Sequence, residues 1–208
     1  MYYGWLPIIS HPIQTTKGDI ELAFYPEVAP QTVRHILDLA RRGLYNTNHF
    51  FRVDKGFVAQ VADVVGGRTA PMDAHQKAIA SQSVPGEFSE IKHVRGTLSM
   101  ARYDDPNSGT SSFSILLGNA PHLDGKYAVF GRIISGEEAL TAMEGMATKR
   151  EGMFVMPVER ITILSSYVKE PYEASASECI SELKEAKRRA NGLTVEIEKY
   201  RQKRLPGY

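Results

Sequence analysis

Apolar residues fall on every second position in the first folded stretch of the chain. Ile20, Leu22 and Phe24 share one face, and Lys17-Gly18 supplies a turn back toward Ile13-Gln14-Thr15. That alternation predicts a β-hairpin over Ile13–Tyr25. The period then changes. Val33, Ile36, Leu37 and Ala40 recur at helical spacing, behind Pro30 and ahead of Gly43. Proline suits the first turn of a helix and glycine its end, so these residues predict an amphipathic helix. Short apolar runs predict further strands at His49–Val53, Phe57–Asp63, Thr97–Ala101, Phe113–Leu117, Tyr127–Ile134 and Ile161–Tyr167. A second, shorter helix starts near Gly136 and carries Ala139, Leu140 and Met143.

Strands outnumber helices and show no regular βαβ alternation. A doubly wound parallel sheet does not fit, and a barrel or sandwich with two packed helices does. From Asp63 to His93 runs a long stretch broken by Gly66-Gly67, Pro71 and Pro85-Gly86. A connection of that length in a compact domain is usually functional or mobile.

Composition narrows the function classes. Of 208 residues, 42% are apolar, enough for one well-buried core plus extensions. Lys and Arg total 25 against 24 Asp and Glu, so no global field points to nucleic acid or an anionic membrane. The single cysteine, Cys179, cannot form an internal disulfide, and no Cys/His set has zinc-ligand spacing, so no metal or cofactor is expected. No run approaches the ~20 apolar residues of a membrane-spanning helix. The opening Met1–Ile9 is short and broken by Gly4 and Pro7, unlike a signal peptide. By this sequence the protein reads as soluble and cytoplasmic. The alternative is the endoplasmic reticulum or secretory pathway, if a signal segment is missing from the chain.

The chemistry concentrates in two segments. One runs Asn48-His49-Phe50-Phe51-Arg52-Val53-Asp54-Lys55-Gly56-Phe57-Val58-Ala59-Gln60. The other starts at His93-Val94-Arg95-Gly96-Thr97-Leu98-Ser99-Met100-Ala101 and continues through Pro106-Asn107-Ser108 and Phe113 to Leu123-Asp124-Gly125-Lys126-Tyr127-Ala128-Val129-Phe130-Gly131. With Val28-Ala29-Pro30-Gln31-Thr32-Val33, they resemble the cyclophilin family in order and spacing, and the match covers about Ile13 to Tyr167. The chain looks like a divergent member, similar to plant secretory-type cyclophilins.

The resemblance implies a mainly β fold: an eight-stranded closed antiparallel barrel capped by two α-helices, with a proline-binding groove on its outer face. It implies peptidyl-prolyl cis–trans isomerase activity on proline-containing segments of client proteins, without a cofactor. Arg52 matches the family's catalytic arginine. Phe57 and Leu123 match the apolar walls of the proline pocket, Gln60 a polar backbone-orienting residue, and Ala101 a residue whose main chain meets the substrate. The same groove also departs from the family pattern. Ser114 stands for a phenylalanine, Ser112 for a glutamine, Val58 for a methionine, Tyr127 for a histidine and His122 for a common tryptophan. Arg102 and Tyr103 replace a small polar pair. These changes remove apolar walls and add hydroxyls, so weak or altered isomerase activity and weak cyclosporin binding are expected. A proline-peptide-binding scaffold without turnover is the alternative. His93 and His122 read as structural or surface histidines, and Ser111-Ser112 lacks the elbow of a serine hydrolase.

After Tyr167 the pattern changes again. Cys179, Leu183, Ala186, Ala190, Leu193, Ile197 and Tyr200 recur at alternating spacings of four and three, with charges of both signs between them. This predicts a heptad-like helix. It either docks on its own barrel or mediates partner or self-association. The chain thus divides into an N-terminal extension (1–12), a cyclophilin-like barrel (13–168) and a charged helical tail (169–208).

Overall fold

The computed structural model describes residues 9–169. The heptad-like stripe from Cys179 to Tyr200 lies outside them. Ten strands and four α-helices follow in chain order: β1 (Ser10–Thr15), β2 (Gly18–Phe24), α1 (Pro30–Arg41), β3 (His49–Asp54), β4 (Val58–Val61), α2 (Val64–Gly67), α3 (Ala74–Ala80), β5 (Thr97–Met100), β6 (Phe113–Leu116), β7 (Val129–Ser135), α4 (Glu137–Glu144), β8 (Thr148–Glu151), β9 (Phe154–Pro157) and β10 (Ile161–Ser166). Eight of the strands close into an antiparallel barrel in the order β1-β10-β3-β4-β6-β5-β7-β2. Closure leaves no free edge among these strands. β8 and β9 pair only with each other.

Alternation explains how the barrel fills. Ile20, Leu22, Phe50, Val53, Ala59, Leu98, Phe113, Ile115 and Phe130 point inward and are buried. Phe113 meets Tyr45 and Phe130 edge-on, with ring centroids 5.7 Å away in each case. Phe113 is therefore core, as its inward phase requires. The two longer helices each bury one face. α1 buries Val33, Ile36, Leu37, Leu39 and Ala40, and α4 buries Ala139, Leu140 and Met143. α4 starts at Gly136, whose φ is 96°; a Cβ there would lie 2.3 Å from the Asp19 carbonyl oxygen, so both conformation and space require glycine.

The long connection after Asp63 is more ordered than its glycines and prolines indicate. Asp63 caps α2, and Asp73 with Gln76 forms a capping box on α3. Farther on, the Glu87 carboxylate accepts from the Gln31 and Thr32 N–H groups, at 3.0 and 2.8 Å. It so supplies the first turn of α1 with an acceptor and a charge that its own sequence lacks.

Several element bounds differ from the sequence pattern. β1 begins at Ser10, so the last residues assigned to the N-terminal extension pair with β2. Within β1 the Pro12 carbonyl accepts from Tyr167 N–H at 3.3 Å. Ala62, Asp63, Ala101 and Tyr127 lie outside the strands. The β8–β9 hairpin has no counterpart in the pattern, because Thr148-Lys149-Arg150-Glu151 contains no apolar residue to alternate.

Candidate active site

Register brings one row of side chains to the outer face of the barrel. Arg52 on β3 pairs with Gln60 on β4, Gln60 with Ser114 on β6, and Ser114 with Ser99 on β5. Gln60, Ser114 and Ser99 alternate with inward core residues, and a register shift between Phe50 and Arg52 brings Arg52 into the same row. Beside it, Val58, Leu116 and Ala120 form a small apolar cluster separate from the main core, with Phe57 and Leu123 packed against it. A 3₁₀ turn at Pro121–Leu123 presents Leu123. Phe57 follows the turn after β3, where Gly118 packs so closely that a Cβ would lie 2.2 Å from the Gly56 carbonyl oxygen. Leu117 N–H also donates to the Phe57 carbonyl at 2.8 Å. Contact and hydrogen bond together fix the ring's origin.

The row, with Phe57, Val58 and Leu123 of the cluster, lines an open cleft of about 520 Å³. Arg52 sits between two aromatic rings, its guanidinium carbon 5.2 Å from the Phe57 centroid and 5.8 Å from that of Phe154. Its Nη2 donates to Asp54 at 3.1 Å, while its Nε is buried without a hydrogen-bond partner among the described residues. A buried donor left unpaired costs ~1–3 kcal/mol. Gln60 Nε2 donates to the Ser112 hydroxyl at 3.1 Å, and Ser112 donates to the Val61 carbonyl at 2.7 Å. Ala101 N–H donates to the Ser112 carbonyl at 3.1 Å.

The far wall is polar. Arg102 lies over the Tyr127 ring at 4.5 Å and donates to the carbonyls of Lys126 and Tyr103. Its guanidinium therefore clamps two loops together. At the base, Ser99 Oγ lies 3.0 Å from His93 Nε2, and His93 Nδ1 lies 3.0 Å from Asp124 Oδ1. The His93 backbone N–H, also bound to Asp124, holds that carboxyl below its usual range. An acceptor-only carboxylate at Asp124 makes Nδ1 the donor of that contact. The order matches a nucleophile–base–acid row. Ser99 is only 3% exposed, however, and the row joins the His93 loop to β5 as a brace.

The structure thus gathers Arg52, Phe57, Val58, Gln60, Ala101, Arg102, Ser112, Ser114, Leu123 and Tyr127 around one cleft. His122 does not line it; its ring stands 5.4 Å from Phe57 and backs that side chain. Sequence reasoning missed Met153 and Phe154, which close the cleft from the β8–β9 hairpin. Gly152 before an apolar pair is the one signal that a turn lay there. It also missed Asp63, whose carboxylate accepts from Thr110 and Ser111 and so tethers the segment bearing Ser112.

Comparison with known proteins gives this arrangement its family. Residues 11–168 match the family model of the cyclophilin type peptidyl-prolyl cis-trans isomerases. The chain belongs to that family. A relative named peptidyl-prolyl cis-trans isomerase CYP23, from Arabidopsis thaliana, is 60% identical over 193 residues, which are 93% of this chain and 84% of the relative. A probable peptidyl-prolyl cis-trans isomerase of Brucella abortus is 37% identical over 149 residues, 70% of this chain and 76% of its own. Among solved structures, a cyclophilin type isomerase of Cryptosporidium parvum superposes with a TM-score of 0.66 at 26% identity, covering 78% of this chain and 98% of that one. The same protein in the presence of the dipeptide Ala-Pro gives 0.65 at 27% identity, covering 77% and 99%. The cleft sets Arg52 beside an apolar floor of Phe57 and Leu123 and carries serine hydroxyls at 112 and 114.

Proposed function

We propose that this cyclophilin isomerises Xaa-Pro bonds in client proteins, with Arg52 as the group that stabilises the twisted imide. Amide resonance sets a rotation barrier of ~18–20 kcal/mol, and uncatalysed prolyl isomerisation takes tens to hundreds of seconds. Twisting removes the resonance, and the prolyl nitrogen becomes pyramidal and gains a lone pair. A donor aimed at that nitrogen binds the twisted state better than either planar one, which is what catalysis requires. A guanidinium suits the role because it stays charged and presents fixed donors. No proton transfer, metal or cofactor enters the scheme.

The observation that carries this reading is the Arg52 guanidinium, which lines the cleft beside the floor formed by Phe57 and Leu123. A prolyl ring on that floor places its nitrogen near the guanidinium. Gln60, fixed through Ser112, then faces the peptide backbone, and Ala101 offers its carbonyl, since its N–H is already bound. Arg52→Ala should lower the isomerisation rate at least tenfold, about 1.4 kcal/mol of barrier, with circular dichroism and melting temperature unchanged. Equal activity in both proteins, above background, removes Arg52 from the mechanism.

A second reading, binding without turnover, draws on Ser112 and Ser114, which leave the proline ring one apolar wall fewer. Activity absent from both proteins, with peptide binding intact, would favour it. The same missing wall supports weak cyclosporin affinity, measurable by calorimetry.

A further inference from the structure

The β8–β9 hairpin lies outside the barrel sheet, and β9 packs against β3, the strand that carries Arg52. Phe154 stands edge-on to Phe51 at 5.4 Å, and its ring centroid lies 5.8 Å from the Arg52 guanidinium carbon. Met153, beside the Gly152 turn, lines the cleft while 76% exposed. An exposed methionine next to a half-buried phenylalanine makes an apolar shelf continuous with the proline cleft. Of the nearby hairpin charges, Lys149 and Glu151 pair with each other at 2.7 Å. They offer no unpaired charge to a peptide.

We infer that this shelf is a subsite for the side chain next to the proline, and that it selects an aliphatic or aromatic residue there over an acidic one. The inference rests on the isomerase reading of the cleft and names the substrate class of that site. A peptide whose prolyl ring lies on Phe57 and Leu123 continues past Arg52, and the hairpin is what it meets at that end. Met153 suits the position because its unbranched thioether adapts to apolar partners of different shape. A carboxylate over the Met153 end of the shelf would lose water to a thioether that cannot replace it.

The test uses four Xaa-Pro peptides that differ only in the residue flanking the proline on one side (Leu, Phe, Ala or Asp), and a second set varied on the other side. Turnover is measured by exchange NMR and binding by titration, with the full chain, Met153→Ser and Lys149→Ala. In one of the two sets the wild type should prefer Leu or Phe to Asp by at least fivefold in kcat/KM. Met153→Ser should bring that ratio to within twofold of one, and Lys149→Ala should keep it. During titration with the preferred peptide, the Met153 methyl resonance should shift. Turnover without discrimination in either set, or discrimination that survives Met153→Ser, overturns the subsite and leaves the isomerase reading standing. Neither turnover nor binding with any peptide overturns both.

Discussion

Ser114→Phe tests the shape of the cleft. Ser114 sits on β6 between Gln60 and Ser99, and the register aims its side chain outward into the cleft. A phenyl group there would lie over those two polar neighbours and face the apolar floor at Phe57 and Leu123. A whole aromatic side chain buries ~150–250 Å², but one ring face meeting a proline covers only part of that. Roughly 60–80 Å² of new apolar contact, at ~25 cal/mol per Å², gives about 1.5–2 kcal/mol. Affinity for a proline peptide should therefore rise about ten- to thirtyfold. Isothermal titration with one peptide, wild type against variant, measures the change directly. The rate on bound peptide should move much less, because the new contact meets planar and twisted imide alike. An unchanged Kd in a folded variant would refute the reasoning: the space above β6 would not be where the prolyl ring lies.

Two other predictions concern the scaffold. His11 is wholly buried between Phe24 and Tyr45, and burial pushes its pKa down to about 4 from 6.5. Its contribution is complete above pH 6.5 and is lost as pH falls toward 4, because the unfolded chain binds the proton first. The span is worth about 3 kcal/mol, so denaturant titrations at pH 7 and pH 4 should differ by about that much more in wild type than in His11→Phe; equal differences would contradict it. Glu144 accepts from Gly56 N–H at 3.0 Å and pairs with Arg95 at 2.8 Å, holding the turn that carries Phe57. Glu144→Ala should raise KM roughly three- to tenfold with kcat within about twofold, since it loosens binding and leaves Arg52 in place; a fall in kcat alone would contradict this role.

Much of this could be read in the sequence because period and packing agree. In β6 the buried Phe113 and Ile115 alternate with the outward Ser114, so the inward place of Phe113 follows from phase, whereas Arg52 turns outward through a register shift after Phe50 that no period marks. The candidate site was legible through its motif, whose order along the chain survives folding. What stayed hidden depends on contacts between distant segments. Phe154 reaches Arg52 only because β9 packs on β3, and no local pattern marks a hairpin whose first strand is fully exposed. The Glu87 cap on α1 joins residues far apart in sequence, and it makes part of the long connection a support for that helix. Arg102 lines the cleft, and its donors hold neighbouring carbonyls, which only the folded loop reveals.

The central claim is that Arg52 lowers the barrier to prolyl rotation in this cleft. Two-dimensional exchange NMR on a single Xaa-Pro peptide, with wild type and with Arg52→Ala at equal concentration, tests it most directly. Cross-peaks between cis and trans resonances report turnover, and shifts in the same spectra report binding. The account predicts strong exchange peaks with wild type and at least tenfold slower exchange with Arg52→Ala, while both proteins shift the peptide resonances. Equal exchange rates above background in the two proteins, or binding by wild type with no exchange above background, would contradict it.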